Sequence, residues 1–222
     1  MRNVTRKPKP ACLTRNARRW KKEFLQALKG DDAKLIKRRR ARYNHKEVRQ
    51  TLNTMYRNFC CYCESPVGPV RADQIEHRMP VDGFPGEAFE WKNLHLGCGG
   101  CNGAKSNQWD AANPILDAVI DIPLDSHLAY QTSRMGVRCI SKTPRGWTTL
   151  KHADLNREPL RLARGAVFLE VLDVIKAIRD RLRIDADDMD AANREQELRE
   201  KCDGEYGSMI HWAIAEWLEP YA

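Results

Sequence analysis

The sequence predicts an α+β protein: a small strand–loop–strand–helix core stapled by four cysteines, embedded in a mainly α-helical chain. Three observations predict it. Two C-x-x-C pairs, Cys60/Cys63 and Cys98/Cys101, stand 34 residues apart. The segment 60–109 is crowded with turn formers (Pro66, Gly68, Pro69, Pro80, Gly83, Pro85, Gly86, Gly97, Gly99, Gly100), which excludes long regular elements. On either side of it, apolar residues recur at the three-and-four spacing of amphipathic helices.

Residues 1–13 are basic and carry Pro8 and Pro10, so an extended or disordered arm is expected. Ala17, Trp20, Phe24, Ala27 and Leu28 predict a helix from Asn16 to Lys29, closed by Gly30. Val48, Leu52, Met55, Tyr56 and Phe59 predict a second from Lys46 to Asn58, leading into the first cysteine pair. Val67–Val70 and Ala72–His77 read as a short hairpin, and a helix is expected to begin near Cys101 with Asn102 and Lys105 on its first turns. After Asn113-Pro114, Val137–Ile140 and Trp147–Leu150 are expected as short strands around a turn at 142–146. Phe168, Val171, Ile175, Ile178 and Leu182 predict a long helix from Arg161 to Ile184. A charged helix over 186–201 and a last amphipathic one over Ile210–Leu218 follow. The expected organisation is a basic N-terminal arm and helix (1–45), the stapled core (46–112) and a helical C-terminal region (113–222) that serves as scaffold or partner surface.

At 42% hydrophobic and 31% charged, the 222 residues have the composition of a globular protein. No apolar run approaches the roughly 18 residues a membrane span requires. No hydrophobic segment follows the basic start Met1–Pro8, so no secretory signal is expected and the cytosol is the expected compartment. In a reducing compartment paired C-x-x-C motifs are metal ligands more often than disulfides. Cys12, Cys61, Cys139 and Cys202 are left over as small apolar residues. The first 50 residues hold 18 Lys and Arg against four acids, a surplus of 14; since the chain is +8, the remaining 172 carry −6. Such a basic stretch is the footprint of a polyanion partner. Its densest part supplies Lys37, Arg38, Arg39, Arg40 and Arg42 as candidate nucleic-acid contacts, although a solvated face or an acidic protein partner also accounts for it.

Four thiolates at this spacing suit one tetrahedral structural Zn2+, which would hold together a loop-rich segment with few apolar residues. Between the two pairs lies Glu76-His77, ending a predicted strand. A neutral imidazole can take a proton from water attacking phosphorus, provided a second group fixes its tautomer. A carbonyl accepting from Nδ1 does this, and Asn93 is the candidate. Glu76 and Asn102 offer hard oxygen ligands of the kind Mg2+ or Mn2+ prefers. Arg78 and Lys105 flank the site as candidate phosphate contacts. His95 is expected to point away or pack on the cysteine turns, and Trp91 to be core.

These residues resemble the HNH endonucleases, or ββα-metal nucleases, in their four-cysteine form. The stretches CCYCESPV, QIEHRMP, FEWKNLHLGCGGCNGAKSN, NPILD and LNREPLRLAR further resemble the PtuB-type HNH proteins, over about residues 40–165. The resemblance implies a ββα-metal core, His77 as general base, Glu76 and Asn102 as ligands of the catalytic ion, Asn93 orienting the base, and zinc on Cys60, Cys63, Cys98 and Cys101. It also implies the nuclease component of Septu or retron anti-phage systems, acting beside the ABC-type ATPase PtuA. Glu76 stands where many such enzymes have Asp, and Asn102 where the family name has its last His. The expected activity is phosphodiester hydrolysis on DNA. An RNase using the same residues and a non-catalytic zinc module that only binds nucleic acid are the alternatives.

Overall fold

In the computed structural model, residues 1–68 and 72–218 are described. Helix α1 spans Ala11–Ala27 and starts at Pro10, whose φ of −54° and missing N–H suit a helix entry. Cys12 and Leu13 extend the buried stripe of Ala17, Trp20 and Phe24, so the helix begins earlier than expected from Asn16. The arm before it is ordered against the core. The Arg6 guanidinium donates to the carbonyls of Trp91, Lys92 and Leu94 at 3.3, 3.1 and 2.7 Å, and the Trp91 indole donates to Lys7 at 2.8 Å. Next come α2 (Ala33–Arg40), capped by the Asp32 carboxylate, a 3-10 turn (Ala41–Tyr43) and α3 (Lys46–Tyr56).

Strand β1 (Asp73–His77) pairs antiparallel with β2 (Leu94–Cys98), placing Glu76 opposite His95 and His77 opposite Leu94. The expected hairpin of 67–70 with 72–77 is therefore replaced by a longer-range pair, and residues 69–70 lie outside the described residues. β2 is buried on both faces, so its sequence LHLGC carries no alternating signal. It runs directly into α4 (Gly99–Lys105), whose first turn is capped by the Cys98 sulfur accepting from the Cys101 N–H at 3.5 Å. The result is the strand, loop, strand, helix order that the sequence predicts.

A second hairpin joins β3 (Leu128–Ser133) to β4 (Gly136–Ser141). Residues 147–150, expected as a strand, belong to helix α5 (Pro144–His152). Thr143 caps it, its hydroxyl accepting from the Gly146 N–H at 3.1 Å, and Pro144 presets the first turn. That local start signal outweighs the strand-favouring aromatic and β-branched run Trp147-Thr148-Thr149. Helices α6 (Glu158–Ile184), α7 (Met189–Glu200) and α8 (Gly207–Trp217) follow. Phe168, Val171, Ile175 and Ile178 are buried on α6, as their spacing predicts, and Phe168 meets the rings of Trp212 and Trp217 on α8. One apolar cluster runs through N-terminal, central and C-terminal segments, including Phe24, Leu52, Leu96, Leu116, Val171 and Ile214. Among the described residues no helix is long and apolar enough to cross a membrane.

Candidate active site

The two cysteine turns converge. The sulfurs of Cys60, Cys63, Cys98 and Cys101, all buried, lie within 4.8 Å of one another. A tetrahedron with Zn–S near 2.3 Å has sulfur–sulfur edges of about 3.8 Å, and the Cys63–Cys98 edge is 3.7 Å. The donor set fits zinc, and Cys61 stands outside it. Arg157, at the start of α6, turns its guanidinium onto three of these sulfurs, at 3.4 Å from Cys101, 3.8 Å from Cys98 and 3.9 Å from Cys63. Hydrogen bonds from Cys101, Cys60 and Cys98 hold the Cys63 thiol well below its ordinary range. Four thiolates on one dication would leave net negative charge, which the Arg157 guanidinium is placed to offset.

Glu76 and His77 end β1, their side chains on opposite faces of the strand. The His77 ring is 8% exposed, and its Nε2 lies 3.0 Å from the Ala88 carbonyl. A carbonyl only accepts, so Nε2 carries the proton and Nδ1 keeps its lone pair. No described residue bonds Nδ1. Burial pushes the imidazole pKa down to about 4, so the ring is neutral at physiological pH. The anchoring carbonyl is Ala88's, on Nε2, where the sequence suggested Asn93 and Nδ1. Asn93 is buried, and its amide braces the flanking loop. Its oxygen accepts from the Met79 N–H at 2.7 Å, and its nitrogen donates to the carbonyls of Met79 and Glu87 at 3.1 and 3.2 Å. It thereby fixes the residue preceding Ala88.

Glu76 is 1% exposed, and one of its oxygens, Oε1, accepts from the Lys105 ammonium at 2.8 Å and the Tyr62 hydroxyl at 3.2 Å. Burial raises its carboxyl pKa, against the pull of Lys105. No described residue bonds Oε2. Asn102 donates its amide hydrogen to Gln74 Oε1 at 2.7 Å, leaving its own oxygen as an acceptor. The two side chains flank one bare backbone position: a Cβ at Gly97 would lie 3.3 Å from the Glu76 Cβ and 3.7 Å from the Asn102 Cβ.

Residues 60–108 match the HNH endonuclease family. Over 112 residues, half of this chain, the sequence is 30% identical to the Septu protein PtuB of Bacillus thuringiensis, and that stretch is 41% of the relative's length. Residues 60–108 are an HNH domain.

The HNH domain brings Glu76, His77, Asn93 and Asn102 onto and around β1, β2 and α4. It does not bring Lys105 to a surface. That side chain is 1% exposed and also donates to the His77 carbonyl at 2.8 Å, so it braces the two residues rather than facing solvent. Arg78 lies over the Trp109 ring at 5.4 Å and donates to the Ile115 carbonyl at 2.9 Å. Of the basic run, Arg39 and Arg42 both bind Glu23, Arg40 binds Asp82 at 2.6 Å, and Lys37 and Arg38 are exposed. His95 is buried against the Tyr56 hydroxyl at 2.6 Å, and Trp91 is buried. His45, which shows no partners in sequence, groups with Cys12 and Glu47. Two of the polar atoms there cap helices: His45 Nδ1 accepts from the Glu47 N–H, and Glu47 Oε2 from the Cys12 N–H. Tyr62 and Arg157 lie within stretches that carry the resemblance and Ala88 lies outside them, but the sequence assigns a role to none of the three; each acts through a non-local contact.

Proposed function

We propose that this chain is a metal-dependent endonuclease that hydrolyses phosphodiester bonds in nucleic acid, DNA foremost, as the nuclease of an anti-phage defence system. The observation that carries this reading is the state of His77 within an HNH domain: neutral, its Nε2 proton held by the Ala88 carbonyl, its Nδ1 unpartnered. Nδ1 accepts a proton from water as the water oxygen attacks phosphorus, and the phosphorus bond to the 3′ oxygen breaks. Asn93 keeps the Ala88 loop in place during that transfer. Glu76 Oε2 and the Asn102 amide oxygen would hold Mg2+ or Mn2+, and both are hard donors beside the empty Gly97 position. Such an ion supplies charge neutralisation at the leaving oxygen. Lys105 and Tyr62 hold Glu76 by its other oxygen. Zinc on the four cysteines is the structural staple.

Similarity to the Septu protein PtuB supports the defence role, and the resemblance to PtuB-type proteins supports an ABC-type ATPase as partner, in the cytosol. The test incubates the chain, alone and after co-expression with such an ATPase, with DNA and RNA side by side in Mg2+ or Mn2+, beside His77→Ala. Cleavage by wild type and not by the variant is expected. Equal cleavage by both, or binding without cleavage in every condition, would replace the enzyme with a zinc-stapled binding module; cleavage of RNA alone would change the substrate.

A further inference from the structure

We propose that the turn carrying Arg40 and Tyr43, outside the HNH domain, completes its active site: Tyr43 positions the His77 imidazole and Arg40 contacts the nucleic-acid backbone beside it. The inference rests on His77 being the general base. The Tyr43 ring meets the His77 ring edge-on, with centroids 4.4 Å apart and planes at 90°. An imidazole held only through Nε2 can still rock about that bond, and rocking displaces Nδ1. A ring packed against it removes that freedom. The Tyr43 hydroxyl has no hydrogen-bond partner among the described residues, so the aromatic body supplies the contact.

Helix α1 fixes both holds on His77. Arg39 at the end of α2 and Arg42 within the turn donate to the same oxygen of Glu23 on α1, at 2.5 and 2.6 Å. Trp20 and Phe24 of α1 each pack edge-on against Phe89, with centroids 6.0 Å apart. Phe89 directly follows Ala88, whose carbonyl anchors Nε2. One helix thus sets the ring that presses on the imidazole and the carbonyl that orients it.

Arg40 extends from the same turn. Its guanidinium is bound to Asp82, which also accepts from Asn107 at 2.7 Å. Both partners of the ion pair are exposed, 40% and 51%. An exposed pair of this kind is weak and screened, so a phosphate can displace the carboxylate.

The test uses the full chain with zinc bound, in the variants Tyr43→Ala, Tyr43→Phe, Arg40→Gln and His77→Ala. Two readouts are taken: steady-state cleavage of a short DNA duplex with Mg2+, and nitrogen-15 spectra of the histidine side chains at one fixed pH without substrate. Tyr43→Ala is expected to lower kcat by about 10- to 100-fold with KM little changed. Tyr43→Phe restores kcat. Arg40→Gln raises KM more than it lowers kcat and reduces the salt slope of binding by about one. In the spectra His77 is a single Nε2–H tautomer in wild type and averages between environments in Tyr43→Ala. Unchanged His77 resonances in Tyr43→Ala, or equal damage from Tyr43→Phe, overturns the positioning role; unchanged KM and salt slope in Arg40→Gln overturns the backbone contact. If His77→Ala cleaves like wild type, the proposed general base fails instead, and the spectra still decide the Tyr43 contact.

Discussion

Replacing Lys105 with Met isolates the buried pair behind the candidate base. Lys105 and Glu76 are each 1% exposed and 2.8 Å apart. Removing one partner of a buried pair costs about 3–5 kcal/mol, because the remaining charge loses its compensation without regaining water. Glu76 has a second route, taking up a proton, and burial already raises its pKa even with Lys105 present. Protonation caps the loss without abolishing it, since the Lys105 bond to the His77 carbonyl goes as well. Urea denaturation with zinc in constant excess reads the change. A loss of 4 kcal/mol moves the midpoint by about 2 M at a urea slope of about 2 kcal/mol/M. The double variant Glu76→Gln/Lys105→Met carries no orphaned charge and is expected to recover about 2 kcal/mol or more of the loss summed over the two single variants. A single-variant cost below about 1 kcal/mol, the value of an exposed pair, refutes the reasoning; so does strict additivity in the cycle.

Cys98→Ser is expected to lower zinc content below one ion per chain and to unfold the β1–β2–α4 unit, since structural zinc contributes about 10 kcal/mol or more to such segments; elemental analysis and circular dichroism check both, and a strong chelator should do the same to wild type. Asn93→Ala removes three buried hydrogen bonds, so a loss of about 2–3 kcal/mol is expected, together with a fall in kcat as the Ala88 carbonyl loses its support. Burial lowers the pKa of His77 from 6.5 to about 4, and lowers that of His95 also. The unfolded chain therefore binds more protons than the folded one over that range, so this stabilisation is complete above pH 6.5 and is lost as pH falls toward 4. For His77 alone the effect reaches about 3 kcal/mol, and denaturation at pH 5 and 7 in wild type and His77→Asn measures it; equal pH dependence in the two would refute it.

The zinc site is legible in sequence because its four ligands are set by two local turns of fixed spacing. His77 and Glu76 are legible because few residue types do their chemistry. What escapes is whatever depends on a non-local backbone atom or on the direction of a long side chain. Ala88 acts through its carbonyl, which every residue has. Lys105 lies three residues after Asn102 on α4, and its position alone does not say whether it faces phosphate or turns inward. A buried carboxylate in need of a counter-charge decides that, and the burial of Glu76 follows from β2 being covered on both faces. The strand expected at 147–150 fails for a different, local reason: the Thr143 cap and Pro144 start a helix before residue preference can act.

The basic surplus of the first 50 residues has a related lesson. Total charge suggests a phosphate-binding stripe, yet many of these cations are spent inside the molecule. Arg6 ties the arm to β2, Arg39 and Arg42 clamp their turn to α1, and Arg49 holds Asp73 at 2.9 Å at the start of β1. A cation with a well-made internal partner gives up less free energy to a phosphate than its formal charge implies, because the existing bond must first be broken. The electrostatic footprint of the chain is therefore smaller than +14, and it concentrates where partners are absent or weak. Within the run 37–42 that leaves Lys37 and Arg38 exposed and without an ion-pair partner among the described residues, with Arg40 at the end of α2 held only by its exposed pair with Asp82. Neutralising Lys37 and Arg38 should weaken nucleic-acid binding without disturbing the fold. Neutralising Arg39 and Arg42 should instead loosen the turn that carries Tyr43, lowering kcat through the geometry of the base.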